Sequence, residues 1–121
     1  MGVVQAARLF ALKQVFSTTG LKSAGRALVH ALSSPDETTR TLAGMFLVQA
    51  GKQAEPLVEE AMSRRQSLPT VLVIAGDIGA FRLEPQLRTF TTDPDPEVAK
   101  AARDGLRILD AQPVQPAGRN G

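Results

Sequence analysis

Apolar residues recur along this chain at helical spacing, and no useful length of it alternates apolar and polar residues as a strand does. The stripes, together with the glycines and prolines between them, predict seven helices. Their approximate bounds are 3–17, 21–33, 35–50, 53–64, 69–78, 83–91 and 96–111. The pattern therefore predicts an all-α fold.

Two of the predicted helices have clear start signals. The third offers Ser34 as its N-cap, Pro35 at the first helical position and Glu37 where it would complete a capping box. The Asp-Pro-Asp-Pro segment at 93–96 is predicted to end the sixth helix and to cap the seventh, with Pro96 at the first helical position.

The turns between the helices are short, which predicts stacked antiparallel pairs, and the chain shows internal similarity. Residues 34–36 align with 93–95 at an offset of 59, and residues 47–51 align with 75–79 at an offset of 28. These offsets predict units of about 1–33, 34–65 and 66–92, a terminal helix at 95–111, and a disordered Pro/Gly-rich tail at 112–121.

The units resemble the short HEAT-like repeats of bacterial and phycobilin-lyase-type proteins, which look like Asp-Pro-x-x-x-Val-Arg-x-x-Ala-x-x-x-Leu-x-x-x-Gly. Residues 93–98 open the carboxyl unit in this way and Leu106 follows in register, although Ala99 stands where the family has arginine. The unit at 34–65 keeps that arginine as Arg40. The resemblance covers roughly residues 20–111. It implies a right-handed α-α superhelix, or solenoid, of about three HEAT-like repeats. The matching motifs specify this fold and no particular chemistry.

Composition restricts the possible chemistry. The 121 residues are 43% apolar and 21% charged, which fits one domain. The absence of cysteine excludes disulfides and thiolate metal sites, and one histidine is too few for a zinc or haem site, so neither a metal nor a cofactor is expected. No arrangement of a nucleophile with a base, and no carboxylate pair outside helix caps and solvated faces, indicates an enzyme.

The longest uncharged runs have 11 residues, well short of the roughly 18 that a membrane-spanning helix needs. Neither a secretory signal nor a lipidation pattern is evident at the amino end, so a cytoplasmic location without membrane attachment is expected.

Charge is uneven along the chain. The first 35 residues carry four cations and no acid, a charge of +4, against −2 for the remainder. Such a basic end can attract an acidic partner or a nucleic acid. However, four dispersed cations form a weak footprint, and the chain has neither Trp nor Tyr for stacking on bases. Nucleic acid is therefore not the expected partner.

Five polar residues are candidates for partner binding. Lys22, Arg26 and His30 follow at i, i+4 and i+8 on one face of the second helix, and Arg82 and Gln86 lie at the start of the sixth. The resemblance implies that second helices line the concave surface of the stack. Because acidic residues of the fourth helix fall between these groups, the stripe indicates either a recognition surface or a ladder of ion pairs between repeats.

The first helix is apolar almost all round, with apolar residues at Val3, Val4, Ala7, Leu9, Phe10, Leu12, Val15 and Phe16. Terminal units of a stack normally present one polar face. Either the extra residues are scattered on the surface, or they dock a partner or a second copy of this chain in a homodimer.

These observations together favour a non-enzymatic protein-protein interaction or scaffold module. Its partner would be another protein, bound on the surface that the second helices form. The alternatives are an accessory subunit of a lyase or other enzyme complex and a weak basic-face nucleic-acid binder.

Overall fold

A computed structural model describes residues 2–113, and this part of the chain contains only helices and turns. Its α-helices are α1 (Val3–Thr19), α2 (Lys22–Ala31), α3 (Glu37–Ala50), α4 (Glu55–Ser63), α5 (Leu68–Asp77), α6 (Glu84–Phe90) and α7 (Pro96–Ala111). Short 3-10 segments, Gly51–Ala54 and Phe81–Leu83, lead into α4 and α6. The all-α prediction is confirmed.

The helices pack in two layers. Each helix packs on its neighbours along the chain or on the next helix but one. In one layer α1 packs on α3, α3 on α5, and α5 on α7, and in the other layer α2 packs on α4. Between the layers, α2 packs on α1 and α3, α4 on α5, and α6 on α7. The first helices of successive pairs therefore form one layer, and the second helices form the other.

A continuous aliphatic core lies between the layers. Every helix from α2 to α7 contributes at least one side chain that is almost completely buried. These side chains include Leu28, Leu47, Val58, Leu72, Leu87 and Leu109. Burying each of them contributes roughly 1.5–3 kcal/mol, and this core ties the layers together along the length of the stack.

The structure corrects the start of α3, where Asp36 rather than Ser34 is the N-cap. Its carboxylate accepts hydrogen bonds from the backbone N–H and the hydroxyl of Thr39, both at 2.8 Å. These bonds lower the pKa of Asp36. A charged carboxylate suits a helix N-terminus better than a hydroxyl, so Glu37 becomes the first helical residue and no capping box forms. The Ser34 hydroxyl instead accepts the Asp36 N–H at 3.1 Å.

The start of α7 repeats this arrangement at the predicted offset. Asp95 is its N-cap and accepts the N–H of Glu97 at 2.9 Å, while Asp93 accepts the N–H of Asp95 at 3.0 Å. Asp93 thus stands where Ser34 stands before α3. The predicted cap of α7 is confirmed, and the two aligned segments have the same turn geometry.

The predicted tail at 112–121 begins with a residue that is held in place. The Gln112 side chain donates hydrogen bonds to the carbonyls of Gly76, at 2.9 Å, and Asp77, at 3.2 Å. The rest of that prediction, from residue 114 onward, lies outside the described residues.

A pair of glycines brings α5 and α7 close together. A Cβ atom on Gly76 would meet the carbonyl oxygen of Gly105, and one on Gly105 would meet the carbonyl oxygen of Leu72. Gly76 is buried within α5 and lies at a helix contact, whereas Gly79 follows α5 and has a left-handed φ of 67°. Only glycine allows these two backbones to approach so closely.

We expect Gly76→Ala or Gly105→Ala to lower the free energy of unfolding by about 1–3 kcal/mol, because the new Cβ meets backbone atoms that cannot rotate away. Gly44→Ala is the matched control in α3, since its Cβ would meet only Leu32 Cδ2 at 3.8 Å. It should raise the free energy of unfolding by about 0.5–1 kcal/mol. Urea unfolding followed by circular dichroism measures all three, and equal effects would contradict the assignment of a close contact.

Candidate functional site

The predicted polar stripe lies on the layer of second helices, where its amino-terminal part meets α4. The Nε and Nη2 atoms of Arg26 both donate to the Glu60 carboxylate at 2.9 Å. Lys22 lies close enough to help lower the pKa of Glu60, after the larger effect of Arg26. His30, one turn beyond Arg26 on α2, is exposed and lines a separate cleft of about 320 Å³ that Arg8 of α1 also lines.

The carboxyl-terminal part of the stripe meets the same helix. Arg82 Nε donates to Glu55 at 2.7 Å, and its Nη2 donates to Glu59 at 2.9 Å. Gln86 Nε2 donates to the other oxygen of Glu59 at 3.3 Å. The structure thus brings Arg82 and Gln86 together on Glu59, with Arg26 on the adjacent acid, and leaves His30 apart.

We call these contacts of Arg26, Glu55, Glu59, Glu60, Arg82 and Gln86 the ion-pair ladder. Hydrogen bonds from Arg82 lower the pKa of Glu59, and the two acids raise the pKa of Arg82 in turn. The geometry is that of inter-repeat ion pairs, one of the two interpretations of the stripe. Partner binding by the five stripe residues stays a prediction.

A larger concavity, of about 840 Å³, lies on the opposite layer between α3 and the α5–α7 pair. Its apolar lining includes Met45 and Val48 of α3, Val73 and Ile74 of α5, and Ala101 of α7. Met45 is 48% exposed. We call this concavity the α3–α5 groove.

The groove results from unequal spacing in the layer of first helices. The glycine contact holds α5 against α7 along most of its length, whereas α3 meets α5 at few positions. Gly44 widens the gap further, because it lines the groove and has no side chain. A gap therefore remains between α3 and the closely packed pair of α5 and α7.

Charged residues surround the apolar lining of the groove. Lys100 and Asp104 of α7 bond to each other at 2.7 Å, and Arg40 donates to the Ser34 carbonyl at 2.8 Å. Asp77 and Glu97 also line the groove. Within residues 2–113, neither of these two acids takes part in an ion pair. The groove therefore presents two carboxylates without ion pairs, together with the guanidinium of Arg40, which is not ion-paired within residues 2–113 either.

Asp77 stands at the carboxyl end of α5, where negative charge is disfavoured by the helix dipole. Although the residue is exposed overall, partial burial of its carboxyl group raises its pKa. A cation placed near it would stabilise the charged form. The local electrostatics thus favour a basic group at this end of the groove.

Sequence reasoning placed the binding surface on the second helices and missed the groove. One signal was available: residues 45–48 of α3 are four consecutive apolar residues, which must point to more than one face of a helix. No sequence signal marks Asp77, because the groove residues around it on α3 and α7 are distant along the chain.

Searches among models of known protein families, curated proteins and solved structures found no match for this chain. None of the helices in residues 2–113 has the length and apolar character needed to cross a membrane. In the same range, no three or more His, Asp or Glu residues are grouped so that they could hold a metal ion.

The ladder leads to a test at Arg82. Arg82→Gln should lower the midpoint of urea unfolding at pH 7. This loss should shrink at about 1 M salt, because the Debye length falls to about 3 Å there and exposed ion pairs are weakened. Because Arg82 lowers the pKa of Glu59, the stabilisation is present above the ordinary glutamate pKa and is lost as the pH falls through the folded value. The difference from the native chain should therefore also shrink in acid.

Arg103→Gln is the matched control for this test. Arg103 is exposed on α7 and forms no ion pair with any residue in 2–113. An equal loss for the two variants, or a loss at Arg82 that persists in high salt and acid, would contradict a stabilising ladder.

Proposed function

We propose that this chain is a non-enzymatic protein-interaction module, built as a right-handed stack of about three HEAT-like helix pairs, whose α3–α5 groove binds an amphipathic helix of a partner protein. The observation that carries the proposal is an apolar groove bordered by two acids, Asp77 and Glu97, without ion-pair partners among residues 2–113.

Two features of the fold support the HEAT-like part of the proposal. Helices pack with their neighbours in chain order, as in solenoids, where each repeat contacts the adjacent ones. The starts of α3 and α7 share one turn geometry at the offset that the internal similarity predicts. Both features are expected of repeated helix pairs.

The dimensions of the groove suit a short helix. Its lining runs from Arg40 to Gln49 on α3 and from Pro69 to Asp77 on α5, which corresponds to roughly 12–14 Å at 1.5 Å per residue. Apolar anchors at i, i+4 and i+7 of a bound helix span roughly 10 Å. Helix-in-groove recognition uses anchors at this spacing.

The charges of the two layers favour the groove over the ladder as the binding surface. Arg26 and Arg82 are already bonded to glutamates, so a partner on that layer would have to break these bonds. Asp77 and Glu97 face no such competition from residues 2–113. A partner helix with lysine or arginine beside its apolar stripe would complement them.

The methionines provide a direct test. Met45 is a half-exposed groove residue, while Met62 is 2% exposed in the core of α4. With methionine methyl groups labelled with ¹³C, we expect a peptide with leucines at i, i+4 and i+7 and flanking lysines to shift the Met45 signal. Met62 should stay unchanged. The control peptide has the same composition with its leucines scrambled.

A groove variant makes this test specific. Thr41 is exposed and lines the groove, so Thr41→Arg should fill it with a bulky cation and weaken peptide binding by roughly tenfold, about 1.4 kcal/mol. Thr89→Arg on α6 is the matched control in the other layer and should bind like the native chain. Equal shifts with the scrambled peptide, or no effect of Thr41→Arg, would refute the groove as the site.

A further inference from the structure

The exposed side of α1 carries the kind of stripe that the α3–α5 groove fits. Val3 and Phe10 are 86% and 52% exposed, and Ala7 between them is also exposed. These residues stand at i, i+4 and i+7, so they share one face of the helix. The buried face of α1 is separate and consists chiefly of Leu9 and Phe16.

This stripe and the groove lie on opposite sides of α3. The Lys13 ammonium of α1 lies 5.8 Å from the ring centroid of Phe46, which places α1 on the Phe46 side. Gly44 and Val48 line the groove. Each is two residues from Phe46, which is about 200° around a helix, and so points the other way. Met45, whose exposed side chain lines the groove, lies between Phe46 and Gly44 in sequence.

From this arrangement we infer that two copies of the chain form a closed dimer in which α1 of each copy occupies the α3–α5 groove of the other. A two-fold axis that runs parallel to α3, just outside its exposed face, sets the α3 helices of the two copies opposite each other and places each α1 over the partner's groove. The exposed Met45 residues would then meet near the axis. This inference rests on the groove being a helix-binding site, as proposed above.

Charge complementarity favours this occupant. The charged residues of α1 are Arg8 and Lys13, and the helix contains no acid. Lys13 lies about 60° around the helix from Phe10 and flanks the stripe, whereas Arg8 lines the cleft beside α2. The groove offers Asp77 and Glu97, neither of which is ion-paired within residues 2–113. Packing α1 against α1 of another copy would instead bring like charges together.

Symmetry favours a closed pair over a chain of copies. Each copy supplies one helix and one groove, and a two-fold axis uses both at once. If the helix of one copy entered the groove of the next without this reciprocity, a helix and a groove would stay uncovered at the ends of a growing fibre. The reciprocal arrangement covers both features with two copies.

Sedimentation equilibrium of the full chain over a range of concentrations tests the dimer. We expect the native chain to dimerise and Phe10→Asp and Thr41→Arg each to raise the dimer dissociation constant by on the order of a hundredfold, since each change occurs in two equivalent contacts. Val15→Asp is the matched control on α1. Val15 is 41% exposed and lies about 140° around the helix from Phe10, so this variant should dimerise normally.

Mixing the two defective variants identifies the pairing. Phe10→Asp retains an intact groove and Thr41→Arg an intact α1, so in a heterodimer one contact is native and both changes fall in the other, where the introduced Asp and Arg have opposite charges. An equimolar mixture should therefore associate at concentrations at which neither variant forms a homodimer. Circular dichroism and urea unfolding must show that both variants are folded. If one is not, Phe10→Ser replaces Phe10→Asp, and Thr41→Lys replaces Thr41→Arg.

Three results would overturn the inference: a native chain that stays monomeric, a Thr41→Arg variant that dimerises like the native chain, or a mixture that fails to associate. The proposed function is tested separately, because peptide binding at Met45 is measured on the monomeric Phe10→Asp variant. A monomeric chain whose Met45 signal responds to the striped peptide would refute the dimer and leave the groove proposal standing.

Discussion

The close approach of α5 and α7 at Gly76 and Gly105 is the contact on which the rest of the arrangement depends. A backbone carbonyl occupies the place where each missing side chain would stand. The two helices therefore act as one rigid wall, and Leu87 of α6 packs beside the same contact, 3.4 Å from where a Cβ on Gly105 would be. Because α3 has no comparable contact with that wall, the layer of first helices contains a groove.

The two layers differ in how their charged residues are paired. On the second helices, Arg26 and Arg82 meet glutamates of α4, so charges that lie on different helix pairs neutralise one another. On the first helices, the acids Asp77 and Glu97 point at an apolar groove without such partners among residues 2–113.

The amino-terminal helix presents the same contrast at the end of the stack. One face of α1 covers the core with Leu9 and Phe16, while its other face exposes Val3 and Phe10 to water. An end unit that works alone normally has a polar outer face, because nothing stacks on it. The molecule thus has two exposed apolar features, the outer face of α1 and the α3–α5 groove.

The sequence by itself determined the helices, the cap at Asp95 and the repeated turn, because these depend on contacts within a few residues. Even there, it favoured the Ser34 hydroxyl over the stronger Asp36 carboxylate as a cap. It offered a ladder of ion pairs as one of two interpretations of the stripe, but it did not show that Arg82 would bridge Glu55 and Glu59. The glycine contact and the groove were decided only by tertiary structure. Gly76 and Gly105 are 29 residues apart, and periodicity within one helix carries no information about how closely another will approach.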